Sequence, residues 1–158
     1  MKIVATILVI TVLLLECAAC TSQPSTPALT QPSTPTITSD DGRCEYSGPD
    51  RIQADQFTFQ WVMNNQQYTD VSIAAIQVEE GHSVDDLVGT TAKDPTTWAS
   101  MLRYEESRTQ PGPWTKEVTW DLTASARFQP KPVYFICAHR INDETIIYGF
   151  AGPIESED

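Results

Sequence analysis

The chain has 158 residues and carries 21 acidic against 10 basic side chains, which gives a formal net charge of −11. A length of this order accommodates a single domain once an N-terminal leader is set aside. The acidic balance argues against nucleic-acid binding, which needs Lys and Arg concentrated on one face. It also argues against adhesion to anionic lipid through the protein's own surface, and indicates instead an exposed domain kept soluble by its charge.

The first residues have the pattern of an export signal. Lys2 supplies a positive charge, and Ile3–Leu15 is an apolar run interrupted only by two threonines. Such a run is typical of a secretory signal and is too short to cross a bilayer as a stable helix, which needs about 20 apolar residues. We therefore predict a signal peptide over residues 1–19.

The end of this signal indicates lipid attachment. Ala18 and Ala19 immediately precede Cys20, an order that resembles the lipobox of exported bacterial lipoproteins, although Cys17 stands where the family usually has leucine. The resemblance implies that Cys20 becomes a lipidated N-terminus, which holds the protein on a membrane outside the cytoplasm. Each buried methylene contributes about 0.8 kcal/mol, so several acyl chains hold firmly. A plain secretory signal cut nearby is the alternative.

Residues 20–42 have the composition of a Pro/Ser/Thr-rich spacer. An eight-residue unit occurs twice in tandem, first as QPSTPALT and then as QPSTPTIT, and the two copies contribute four prolines. Proline fixes φ and removes a backbone donor, and the segment has too few apolar residues to form a core. We predict a disordered linker that lifts the following domain, residues 43–158, off the membrane.

Alternating apolar and polar residues predict strands through most of this domain. The pattern is clearest in Gln56–Met63 and recurs in Thr115–Leu122 and Val133–Ala138. In Tyr68–Val78 the apolar residues change parity, which indicates a β-bulge or burial on both faces. A final strand is predicted over Thr145–Phe150, followed by a bend and a short acidic end.

Two short segments are predicted to be helical. Ser83 stands where an N-cap would begin a short helix, and Gly89 is placed to end it. Asp94-Pro95 is a second start signal, for a helix that ends near Tyr104. The apolar face of this second helix would contain Trp98, Met101 and Leu102. The predicted fold is therefore mainly β, a β-sandwich with a short helical insertion.

The cysteine count predicts one disulfide. Cys17 leaves with the leader and Cys20 accepts the lipid, so Cys44 and Cys137 remain as a pair in an oxidising compartment. We predict that they are bonded, which closes a loop of about 90 residues and stabilises the fold by about 4 kcal/mol through loop-closure entropy. Two free thiols or a metal site are the alternatives.

Several short motifs together resemble small exported bacterial lipoprotein domains with a cupredoxin-like Greek-key sandwich. In chain order these are Cys44–Pro49, the acidic loop Glu80–Leu87, the segment near Trp98, the strand that ends in Cys137, and Gly152–Ile154. The resemblance implies a Greek-key sandwich and makes a cupredoxin-type metal-binding or electron-transfer protein the alternative function. An immunoglobulin-like sandwich is the rival fold, because Trp61 lies between the two cysteines.

The metal ligands of a cupredoxin are not evident. A blue copper site needs two His, one Cys and a weak axial ligand that is usually Met. The chain has only His82 and His139, and no Met follows Cys137. A calcium loop is also not matched, because the acidic residues near Gly81 lack EF-hand spacing. Those residues are Glu79, Glu80, Asp85 and Asp86. We predict no metal and no cofactor.

The residue types present also predict a non-catalytic function. Two histidines and no G-x-S-x-G motif give no pattern for nucleophilic catalysis, so we predict no catalytic residues, with a small hydrolase as a further alternative. Trp98 and Trp114 are candidate exposed aromatics that would bind a carbohydrate or an envelope protein, unless they cap the core. The sequence thus predicts a membrane-anchored, extracytoplasmic, non-enzymatic binding module that binds no nucleic acid.

Overall fold

The computed structural model describes residues 34–40, 42–68, 70–91, 98–107 and 111–157. The predicted signal peptide, the lipidation site at Cys20 and residues 20–33 of the predicted linker lie outside these ranges. No helix in the described ranges is long and apolar enough to span a membrane.

Strands dominate the described residues and form two mixed sheets. The strands are β1 (Thr36–Asp40), β2 (Arg43–Ser47), β3 (Arg51–Gln53), β4 (Phe57–Met63), β5 (Val71–Val78), β6 (Ala99–Ser107), β7 (Trp114–Trp120), β8 (Val133–Ile141) and β9 (Glu144–Glu157). One sheet has the order β2-β1-β4-β7 and the other the order β3-β9-β8-β5-β6. The pairs β1–β4 and β3–β9 are parallel, and the remaining pairs are antiparallel. The mainly β, sandwich-like architecture is the one the sequence predicts.

The main core is aromatic and lies between the two sheets. The alternation predicted for β4 is confirmed, because its four odd-numbered side chains are buried. Phe135 of β8 is at the centre of this core, with ring centroids 5.4 Å from Phe57, 6.0 Å from Phe59 and 6.2 Å from Trp120. Removing such large apolar surfaces from water is the main force that holds the sheets together.

A second, smaller core covers the outer face of the five-stranded sheet. Val84 and Leu87, from a 3-10 turn at Val84–Leu87, pack with Ile76, Ile136 and other residues of that face. As a result β5 is buried on both faces over most of its length. The parity change predicted for this segment is confirmed as well, since the register with β6 shifts between Ala75 and Ile76.

The predicted helices are largely wrong. The first is only the four-residue 3-10 turn, which begins after Ser83 as predicted and is followed by Gly89 at φ +82°. The second is a strand over its described part, because Ala99–Ser107 pairs antiparallel with β5 along its whole length. This pairing satisfies the backbone of an otherwise open edge of β5, a tertiary gain that overrides the local helical pattern. Asp94-Pro95 lies outside the described residues.

The domain begins before the predicted boundary at residue 43. Thr36–Asp40, assigned from composition to the linker, is strand β1 and lies between β2 and β4. Ile37 in this strand is completely buried in the main core. The second copy of the repeat differs from the first by placing β-branched residues at consecutive positions, and these favour a strand.

The predicted turn between β8 and β9 is confirmed, but the predicted end of β9 is wrong. Asn142 and Asp143 adopt φ values of 50° and 67°, as a tight hairpin turn requires. Strand β9 then passes Phe150 and the expected bend at Gly152-Pro153, and it ends at Glu157. The register with β8 shifts between Val133 and Phe135, so the bend is absorbed as an irregularity inside the strand.

Candidate functional site

The cysteines predicted to pair lie at disulfide distance and connect the two sheets. Cys44 belongs to β2 and Cys137 to β8, with an S–S distance of 2.07 Å and a Cα–Cα distance of 5.7 Å. Both residues are buried. A sulfur in this bond is not a thiolate, so Cys137 does not provide the thiolate ligand of a blue copper site.

A buried hydroxyl connects this disulfide to the core tryptophan. Ser39 Oγ accepts a hydrogen bond from Trp61 Nε1 at 3.0 Å and donates one to Cys137 Sγ at 3.2 Å. The Tyr148 side chain also interacts with Ser39. Ser39 therefore satisfies the polar atom of a fully buried tryptophan. Sequence reasoning missed this residue because it was assigned to the linker.

Strand β2 approaches β9 closely beside the disulfide. A Cβ atom on Gly149 would lie 2.9 Å from the backbone nitrogen of Cys44, so only glycine permits this approach. The two strands belong to different sheets. Two grooves lie along this contact between β2 and β9, and Cys44 and Glu45 line both grooves.

The first groove lies between β2 and the last part of β9 and has a volume of about 410 Å³. It is lined by Cys44, Glu45, Tyr46, Asp50 and the residues from Ala151 to Ile154. The Tyr46 hydroxyl donates to the carbonyl of Pro49 at 2.9 Å, which fixes the direction of its ring. Burial, together with the negative charge of Asp50, raises the pKa of Tyr46 to about 12, so this phenol is neutral at physiological pH.

The second groove lies between the start of β2 and the middle of β9, with a volume of about 350 Å³ and a more apolar lining. Tyr148, Phe150 and Val88 supply this apolar surface, and Val88 is 45% exposed. Arg43 lies at its edge, 3.7 Å from a carboxylate oxygen of Glu45. Burial is the main cause that raises the pKa of Tyr148 to about 12.

The two grooves have volumes within the range of small-ligand clefts and are open to solvent. Such clefts typically occupy a few hundred Å³ and combine apolar or aromatic surface with a few charged groups that set orientation. Here each groove offers at least one aromatic side chain, and both share the carboxylate of Glu45. None of these groups was predicted from sequence, because only the crossing of β2 over β9 brings them together.

The two tryptophans proposed as ligand contacts do not line either groove. Trp114 is half-buried and packs edge-on against Trp61, with ring centroids 5.0 Å apart. Trp98 is also half-buried and stacks on His82 at 4.8 Å, against the second core. Their placement matches the alternative that both cap apolar cores.

The candidate metal-binding residues are dispersed. His82 stacks on Trp98, whereas His139 stacks on Tyr68 with Tyr148 beside it. Asp85 and Asp86 are in the first turn of the 3-10 segment, where the Asp85 backbone nitrogen donates to Ser83. Within the described ranges, no three His, Cys, Asp or Glu side chains are grouped to hold a metal ion.

Comparison with known proteins adds no relative: no family model, curated protein or solved structure matches this chain. The chemistry of the grooves and the position of the disulfide are therefore the basis for a functional assignment.

Proposed function

We propose that this protein is a lipid-anchored binding module that works outside the cytoplasm, attached to a bacterial envelope membrane through Cys20. The observation that carries this proposal is the buried link between Cys44 and Cys137. Disulfides persist in oxidising compartments and are rare in the cytosol. The apolar leader and the small residues before Cys20 give the same location independently.

We also propose the cupredoxin-like Greek-key type for the sandwich. Two mixed sheets with parallel pairs β1–β4 and β3–β9 support it. Electron transfer through copper is the less favoured function, since Cys137 is joined to Cys44. The prediction that the protein has no enzymatic activity stands as a prediction.

The grooves beside β2 favour a carbohydrate ligand over a protein partner. Tyr46, Tyr148 and Phe150 offer ring surface for the C–H faces of a sugar, and Arg43 and Glu45 offer planar charged groups for pairs of hydroxyls. Hydrogen bonds to charged groups are the stronger ones, and they set orientation. A glycan of the cell envelope is the ligand class that this combination fits.

Lipidation is tested with the full chain expressed in bacterial cells. We expect the protein to partition into the detergent phase and its N-terminal peptide to carry the mass of a diacylglyceryl-modified cysteine. Cys20→Ser should abolish both properties. Cys17→Leu is the matched control, because it restores the usual lipobox residue and should leave lipidation intact. An unmodified N-terminus in the unaltered protein would show a plain secretory signal.

Glycan binding is tested with the unlipidated mature chain, residues 20–158 carrying Cys20→Ser. Soluble peptidoglycan fragments and N-acetylglucosamine oligomers are titrated while amide NMR shifts are recorded. We expect shifts at Glu45, Tyr46 and Phe150. Glu45→Gln should weaken binding by about tenfold or more, the usual effect of losing a charged hydrogen bond. Glu144→Gln, at an exposed carboxylate outside both grooves, is the control. Shifts spread evenly over the surface, or no binding, would overturn the carbohydrate assignment.

A further inference from the structure

A buried histidine stacks on Tyr68 and lies beside Tyr148 at one end of the main core, and the two tyrosine ring centroids are themselves 6.4 Å apart. The His139 ring centroid lies 3.9 Å from that of Tyr68 and 5.2 Å from that of Tyr148, with the rings within 20° of parallel. His139 is only 6% exposed, and its Nδ1 atom has no hydrogen-bond partner among the described residues. Neither groove is lined by this side chain, so binding does not explain its position.

The charged and titratable groups around the stack come from several elements. Asp40 of β1 is close enough to influence Tyr148, and Arg43 of β2 lies 3.8 Å from Asp40. On β8 itself, the Arg140 side chain pairs with Asp143 at 3.2 Å. The backbone nitrogen of Arg140 donates to the carbonyl of Asp70, at the end of the segment that carries Tyr68. The residue paired with His139 on β5 is the apolar Val71.

This environment suits the neutral imidazole and not the imidazolium. In the neutral ring one nitrogen is an acceptor, whereas in the protonated ring both nitrogens are donors. Protonation therefore turns Nδ1 into a buried donor with no acceptor among the described residues, and it buries a charge. The face of Tyr68 attracts a cation, but it does not replace the missing acceptor at Nδ1. Burial accordingly lowers the pKa of His139 from its ordinary value.

The two tyrosines are not held equally. Tyr148 belongs to β9, inside the sheet, whereas Tyr68 belongs to the irregular segment between β4 and β5. That segment is held by hydrogen bonds of the residues that precede Tyr68. Gln67 N donates to the Asn65 side chain at 2.6 Å, and Gly112 N donates to the Asn65 carbonyl at 2.7 Å. If the stack separates, Tyr68 is the ring that moves.

We propose that the stacked Tyr68–His139 pair, with Tyr148 beside it, is an acid-sensitive switch: protonation of His139 separates the two stacked rings and releases Tyr68 from the end of the sandwich. The stack opens as pH falls, because the extra proton has no acceptor until water enters. Tyr148 also lines the second groove, so the switch alters that groove. This last consequence rests on the proposed binding function, whereas the switch itself does not.

The test uses the unlipidated mature chain and NMR of its histidine and tyrosine rings from about pH 8 to about pH 5. The chain has only two histidines, so each transition can be assigned by substitution. We expect His139 to titrate below 6.5, with the ring-current-shifted signals of Tyr68 changing over the same pH range. His139→Phe keeps an aromatic ring in the stack and should abolish the change at Tyr68. His82→Phe, the matched control, should leave it intact.

Tyr68→Ala provides a second measurement that does not depend on the folding of His139→Phe. Removing this ring opens one face of His139 to water, so the pKa of His139 should rise towards its ordinary value. A pKa of His139 at or above 6.5 in the unaltered protein would overturn the proposal. Tyr68 signals that stay constant through the His139 transition would overturn it as well. Glycan binding is not needed for any of these readouts, so they can fail or succeed independently of the proposed ligand.

Discussion

Ser39 is a single hydroxyl on which a buried tryptophan depends. Ser39→Ala removes the acceptor for Trp61 Nε1, and water does not reach that atom because both residues are fully buried. An unsatisfied buried donor costs about 1–3 kcal/mol. We expect the free energy of unfolding to fall by that amount, measured by urea denaturation of the unlipidated mature chain with Trp fluorescence as the signal.

The control for this substitution is Ser47→Ala, on the neighbouring strand β2, where the serine is exposed. A change at such a surface position is expected to stay within about 0.5 kcal/mol. Equal losses in the two variants would mean that the hydrogen bond from Trp61 contributes nothing beyond the general effect of removing a strand hydroxyl.

At the scale of single residues, the sequence predicts a role only where that role follows from the chemistry of the residue type alone. Cys44 and Cys137 could be paired by counting, because oxidising conditions and parity leave one combination. The roles of Ser39 and His139 depend on side chains far away in sequence, such as Trp61 for Ser39 and Tyr68 for His139. No local pattern contains that information, and the same holds for the groove residues.

Strand β6 is the element for which the structure differs most from the sequence prediction. Two adjacent residues distinguish the observed strand from the predicted helix. In the predicted helix Met101 and Leu102 share the buried face. In the bulged strand Leu102 is 5% exposed and Met101 is 41% exposed. We therefore expect Leu102→Ala to lower the free energy of unfolding by about 2–5 kcal/mol, the range for buried leucines. Met101→Ala should change it by about 0.5 kcal/mol or less.

Both effects are measured by urea denaturation under identical conditions, so each variant serves as the control for the other. Similar large losses in the free energy of unfolding for Met101→Ala and Leu102→Ala would be the result expected for the predicted helix. In that case Ala99–Ser107 could not pair with β5 in the register described here.

Among the elements, those with clean alternation were predictable and those shaped by tertiary pairing were not. β4 and β7 each bury one face, so period-two patterning was sufficient to find them. β6 carries a register shift that moves apolar residues to irregular positions, and this imitates a helical period. β1 was hidden for a different reason, since prolines and threonines on its N-terminal side gave it the composition of a linker.

At the scale of the whole domain, different interactions join the two sheets at the two open sides of the sandwich. On one side the disulfide joins β2 to β8, where the Gly149 contact brings β2 against β9. On the other side Lys116 of β7 pairs with Glu105 of β6, and Arg103 Nε donates to the carbonyl of Asp121 at 2.7 Å. Exposed ion pairs contribute about 0–1 kcal/mol, so the covalent side is the stronger connection between sheets.

The strand order makes the start of the domain a property of the whole molecule. β1 lies between β2 and β4, so its loss would separate β2, with Cys44, from the rest of its sheet. We expect a chain of residues 31–158 to unfold in one cooperative urea transition and to contain no free thiol. A chain of residues 43–158, cut at the boundary predicted from composition, should show no cooperative transition and should expose Cys44 and Cys137 to thiol labelling.

Deletion of residues 23–30 from the mature chain is the matched control, because it shortens the predicted linker by one repeat without touching β1. This variant should keep the unfolding midpoint of the unaltered protein. If residues 43–158 unfold with that same midpoint, β1 is dispensable and its pairing with β2 and β4 contributes nothing to stability. If only the longer chain folds, the second repeat has two roles, since it ends the predicted spacer and supplies the first residues of β1, the strand on which the disulfide-bonded β2 is built.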